Sequence, residues 1–91
     1  MDAHSIIKGF VQGVGYRKFV KKHAQTAGLT GWIRNLPDGS VELLLQGEKE
    51  KIEEVLRVCQ EGPFLAAVEE VNTVWEKQKE AFPNFSLRHD F

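Results

Sequence analysis

Glycines at 13 and 15 flank Val14 in the stretch Gln12-Gly13-Val14-Gly15-Tyr16, and Arg17 follows at once. A tight turn built on glycines lets successive backbone N–H groups converge into a concave nest the size of a phosphate. If a helix begins directly after it, unpaired amides and the positive end of the helix dipole point at the same place. Arg17 would then stand in the first helical turn and offer a planar, permanently charged fork to the same anion. The plainer alternative is that the glycines only turn the chain and Arg17 is solvated. Residue types alone leave both open.

Better-known glycine motifs are excluded by spacing. No Gly-x-x-x-x-Gly-Lys-Ser/Thr occurs, and a dinucleotide fingerprint would need Gly or Ala where Lys18 stands. Lys8-Gly9-Phe10-Val11 echoes the aromatic strand of an RNA-recognition module, but Gln12-Gly13 breaks it off before further aromatics follow, and the echo falls on the wrong strand. Nucleic acid is therefore not an expected partner. Cys59 is the only cysteine, which rules out an internal disulfide and a cysteine-built zinc site; it is expected to be a small buried hydrophobe. His4, His23 and His89 have no ligand spacing, so neither a metal nor a cofactor is expected. Asn35, just before Leu36-Pro37-Asp38-Gly39, reads from its own type as a residue that shapes a turn.

These residues need elements to hold them. Residues 3–12 are short, β-branched and aromatic, and predict a strand ending at the glycines. Tyr16, Phe19, Val20, His23, Ala24 and Ala27 recur at helical spacing up to Gly28, which predicts an amphipathic helix with a glycine cap. Thr-Gly-Trp-Ile-Arg-Asn and Ser-Val-Glu-Leu-Leu-Leu-Gln surround Leu36-Pro37-Asp38-Gly39, a type I turn signal closing a hairpin. Ile52, Val55, Leu56 and Cys59 mark a second helix before the Gly62-Pro63 break. Val71, Thr73 and Trp75 alternate as one face of a strand, and residues 85–91 suggest a last short one. The order is βαββαβ, which predicts an α+β, ferredoxin-like α/β sandwich with one mostly antiparallel sheet and two helices on one face.

Ninety-one residues suit a single domain spanning 1–91, with 42% hydrophobic and 27% charged residues typical of a globular fold. No apolar run approaches the length of a membrane span, and a cytoplasmic monomer is expected. The net charge of −1 conceals an asymmetry: from Ala3 to Pro37 the chain holds six Lys or Arg and no acid, whereas from Asp38 onward it holds twelve acids against six bases. The first part suits an anion, although a basic solvated face would look the same.

Taken together, the stretch Gly9 to Phe19, the stretch Gly28 to Gly47 and the later Gly62-Pro63-Phe64 resemble the acylphosphatase family in order and spacing over nearly the whole chain. The resemblance implies a ferredoxin-like enzyme that hydrolyses the carboxyl-phosphate bond of acyl phosphates, giving a carboxylate and inorganic phosphate. It implies a substrate cradle formed by Gln12, Gly13, Val14, Gly15, Tyr16 and Arg17, with Arg17 binding the phosphoryl group and Asn35 orienting the attacking water. The same domain also fronts large carbamoyl-transfer proteins; here a stand-alone enzyme is expected. A site without a strong base suits this chemistry, because a carboxylate leaving group, with a pKa of about 4, needs no proton donor. Arg34, one residue before Asn35, should face the other side of the strand and stay out of the site.

Overall fold

Period-two alternation and two amphipathic stripes resolve into one sheet and two helices. The computed structural model describes residues 1–89. Its elements run β1 (Asp2–Phe10), α1 (Tyr16–Thr26), β2 (Thr30–Asn35), β3 (Val41–Gln46), α2 (Lys49–Glu61), β4 (Ala67–Glu76) and β5 (Phe85–Arg88). The sheet order is β4-β1-β3-β2-β5. Every neighbouring pair is antiparallel except β2 with β5. This is the ferredoxin-like α+β sandwich, with an added edge strand. Of the last predicted strand, Asp90 and Phe91 lie outside the described residues.

Both helices pack on one face. There Ala3, Ile7, Ile33, Val41, Leu43 and Leu45 of the sheet meet Val20 and Ala24 of α1 and Ile52, Val55 and Cys59 of α2, all buried. Each large aliphatic side chain so buried contributes roughly 1.5–3 kcal/mol before entropy is counted. Leu56, at the edge of the α2 stripe, is only half-buried. Helix α1 ends as its glycine requires: Gly28 N–H donates to Gln25 O and Leu29 N–H to Ala24 O, the paired bonds of a Schellman motif. The β2–β3 hairpin closes through Gly39 N–H to Leu36 O at 3.2 Å, with Pro37 at the second turn position. On the edge strand β4, Val71 and Thr73 are half-buried, while Trp75 is 36% exposed beneath the Lys49 ammonium, 5.7 Å from its ring.

Strand alternation then decides which polar residues reach the helix side. Ile33 and Asn35 share that face, and Trp32 and Arg34 face away. Arg34 Nε donates to Glu42 Oε1 at 2.6 Å, and His4 Nε2 shares a hydrogen bond with Glu42 Oε2 at 2.7 Å. Burial pushes the Glu42 carboxyl up, but its bonds to His4 and Arg34 outweigh this and hold it below the usual carboxylate range. Arg34 thus belongs to an ionic cluster on the opposite side of the sheet. Among the described residues no helix is long and apolar enough to cross a membrane.

Candidate active site

The chain leaves β1 at Phe10 and reaches α1 through a loop whose geometry rests on two glycines. Gly13 has φ 74° and Gly15 has φ 77°, and a Cβ at either position would meet nothing within 4 Å. The need for glycine is therefore conformational: a side chain in the left-handed region costs roughly 1–2 kcal/mol. Gly15 immediately precedes α1, whose first bond is Phe19 N–H to Gly15 O at 3.0 Å. Among the described residues, no backbone acceptor takes the amides of Gly13, Val14 or Gly15, no side chain caps the helix, and its first turn has no acid. Donors and the positive dipole end remain open to an anion.

Gly13 and Gly15 line a cavity of about 230 Å³ together with Val11, Tyr16, Arg17, Lys18, Asn35, Leu87 and His89. Arg17 is half-buried, and its Nη1 donates to Arg88 O at 2.9 Å, so the end of β5 fixes part of the guanidinium and leaves its other N–H groups for a ligand. Across the cavity, Asn35 Oδ1 is buried and has no hydrogen-bond partner among the described residues. An unpaired buried carbonyl costs roughly 1–3 kcal/mol, a cost that a ligand or water supplying a donor removes.

The turn-shaping role suggested by the type of Asn35 falls to Asp38. Its Oδ1 accepts from the Ser40 hydroxyl at 2.5 Å and the Ser40 amide at 2.9 Å, and those bonds hold its carboxyl below the usual range. The Gln12 side chain is bonded within the protein. Its Nε2 donates to Leu36 O and Ser40 O, each at 2.8 Å, tying the glycine loop to the hairpin that carries Asn35. Val14 is half-buried against the core. Tyr16 is 1% exposed and donates its hydroxyl to Cys59 O at 2.8 Å, pinning the start of α1 to the end of α2. Burial raises the Tyr16 hydroxyl far above its ordinary range, with Cys59 adding to the effect. Burial likewise pushes the Cys59 thiol up to about 12, which leaves it inert as a nucleophile. His23 packs at a tilt of 59° against Phe19 with ring centroids 4.7 Å apart, outside the cavity lining.

Of the residues expected at the site, Gly13, Gly15, Tyr16, Arg17 and Asn35 meet around one cavity, whereas Gln12 and Val14 support it from outside the lining. Val11, Lys18, Leu87 and His89 also line it and were not expected there. The only sign of Lys18 was its place one residue past Arg17 in the basic segment. The role of Arg88 is that of a main-chain carbonyl, which no residue type announces.

Fold and site together define a small α+β protein in which a glycine loop, an arginine at a helix start and an asparagine with an unpaired side-chain carbonyl line one cavity. The acylphosphatase family model matches residues 3–87. An acylphosphatase from Caldivirga maquilingensis is 44% identical over 86 residues, covering 93% of this chain and 90% of the relative. The crystal structure of acylphosphatase from Bacillus subtilis superposes with a TM-score of 0.93 at 30% identity, covering 96% of this chain and 97% of that one. The chain also superposes, with a TM-score of 0.85 and 28% identity, on 12% of the HypF of T. kodakarensis, a far longer protein. The chain belongs to the acylphosphatase family, and its activity is the family's, hydrolysis of small-molecule acyl phosphates.

Proposed function

We propose that this enzyme holds the phosphoryl group on the amides of the Gln12–Arg17 loop and the Arg17 guanidinium, and that Asn35 aligns the attacking water. The observation that carries this reading is that Asn35, whose buried Oδ1 has no hydrogen-bond partner among the described residues, lines the same cavity as Gly13, Gly15 and Arg17. A neutral amide cannot remove a proton, but its carbonyl oxygen accepts one hydrogen bond from water and aims the water's lone pair at phosphorus. The water oxygen forms its bond to phosphorus as the bond to the acyl oxygen breaks, and the electron pair leaves with the carboxylate. Phosphoryl transfer through a loose transition state asks for alignment and for charge stabilisation on the equatorial oxygens, which the loop amides and Arg17 offer. The water's proton passes to a phosphoryl oxygen of the substrate, and no metal or cofactor is assigned a step.

This reading takes residues 1–91 as one domain acting as a monomer in the cytoplasm, where a thiol such as Cys59 stays reduced. With no distinct acyl pocket assigned, the enzyme is expected to accept several acyl groups. The test is phosphate release from an aryl acyl phosphate with EDTA present. Arg17→Gln should lose phosphate inhibition together with turnover, kcat/KM falling about 1,000-fold. Asn35→Ala should lower kcat about 100-fold or more, with the inhibition constant for phosphate nearly unchanged. Small and equal effects from both would sink the role assignment, and a pH profile governed by an enzyme group near neutrality would sink the substrate-assisted proton transfer.

A further inference from the structure

We infer a second binding site, for a small organic ammonium ion, on the helix-free face of the sheet around Asp2. Asp2 opens β1 directly between Gln46 of β3 and Glu76 of β4. It is only 6% exposed, and its Oδ1 is buried without a hydrogen-bond partner among the described residues. A carboxylate in that position retains the cost of desolvation until a donor or a positive charge meets it.

The connection from β4 to β5 makes a pocket of this corner. Gln46 reaches across the face, donating from Nε2 to Glu80 O at 2.5 Å and accepting the Phe82 N–H on Oε1 at 3.1 Å. The cavity under this strap measures about 280 Å³, with Asp2, Glu76 and Glu80 as its acids and Trp32, Leu44 and Phe82 as apolar walls. The basic side chains that line it, His4, Lys79 and Arg88, each lie against another group, His4 against Glu42. Lys79 Nζ lies 3.2 Å from Glu76 Oε2. The Arg88 guanidinium lies over the Trp32 ring at 4.5 Å and 5.7 Å from the Phe82 ring.

What the pocket still lacks is a donor on Asp2, and the neighbouring acids make a charged donor better than a neutral one. Among the described residues no group of three or more His, Cys, Asp or Glu is placed to hold a metal ion. The aromatic and leucine walls ask instead for an apolar body behind the charge. A primary ammonium on an aryl or alkyl chain meets both demands, its N–H groups on Asp2 and its body against Trp32 and Phe82.

The probe is 2-phenylethylammonium, titrated into the full-length protein while amide and indole N–H resonances are followed by NMR, with 2-phenylethanol as the neutral counterpart. Saturable shifts at the Trp32 indole and the Phe82 amide are expected with the amine, and about tenfold weaker binding with the alcohol or with Asp2→Asn. Asparagine matches aspartate in shape, and the variant's own spectrum checks its fold; the amine-against-alcohol comparison on the unaltered protein decides the matter if it does not fold. Three results would overturn the inference: no saturable shift up to about 10 mM amine, equal binding of amine and alcohol, or equal binding by Asp2→Asn. Amine binding that appears only in Lys79→Met would also overturn it, since Lys79 would then be the ammonium that serves Asp2. Phosphate release by Asp2→Asn should match that of the unaltered enzyme.

Discussion

Helices α1 and α2 lie on the same face of the sheet and bury the same kind of apolar stripe, yet they begin in opposite ways. Helix α2 starts from Glu48 in an extended conformation and places Glu50 in its first turn, so its positive end meets its own acid, in solvent. Helix α1 starts from a left-handed Gly15 with no acid in its first turn and directs its unpaired amides, with Arg17, into a cavity. Among the described residues no side chain caps either helix. The positive end is thus offset by an acid of the same helix at α2 and by none at α1, where it lies beside a cavity. The open donors are a local cost that the apolar stripe of α1 offsets elsewhere along the helix.

That contrast breaks most sharply at Gly15. Alanine there must adopt φ near 77°, at a cost of roughly 1–2 kcal/mol, which for a domain of this size lowers Tm by about 4–8 °C for each kcal/mol. Because the amides themselves shift, kcat/KM should also fall about 100-fold. Gly28→Ala, at the other end of α1, imposes a similar strain at φ 73° in equally open space. It should lower Tm comparably and leave kcat/KM within about twofold. If both substitutions damage turnover alike, the Gly15 loop is only a turn.

Gln12→Ala should have the next largest effect. It removes both bonds to Leu36 O and Ser40 O, costing roughly 1–2 kcal/mol of stability, and frees the Asn35 hairpin to drift from the glycine loop. The expected signature is a kcat about tenfold lower, with the inhibition constant for phosphate nearly unchanged. The reverse pattern, a weakened phosphate constant with kcat preserved, would make the Gln12 side chain itself a ligand of the phosphate.

The elements were legible because their periods are clean. The αL glycine after Ala27 and the Pro37-Asp38-Gly39 turn announced where α1 and the hairpin stop, and strand alternation alone assigned Arg34 and Asn35 to opposite faces. Function was less legible from types. Asn35 is the residue a turn would choose, and only its unpaired Oδ1 separates it from Asp38, which serves the turn. Gln12 sits within the most telling motif of the chain, yet its side chain is spent on a hairpin 24 and 28 residues away, a partnership no local pattern encodes. The hold on Arg17 by the carbonyl of Arg88 was equally out of reach, since every residue has that atom.

The mildest test makes α1 begin as α2 does. Lys18 is exposed in the first turn of α1 and lines the cavity, so Lys18→Glu places an acid where α2 has Glu50. An acid at this end favours the helix by about 0.3–1 kcal/mol, so Tm should rise slightly. The same charge repels phosphate: its inhibition constant should weaken about fivefold at low salt, and the penalty should shrink once the Debye length falls to a few ångström at about 1 M salt. A more stable enzyme that binds phosphate less well would show that α1's open start is held for the substrate at the expense of the fold. A variant that gains stability with phosphate binding unchanged would mean that the field of the helix end does not reach the anion, leaving Arg17 and the loop amides to act by contact alone.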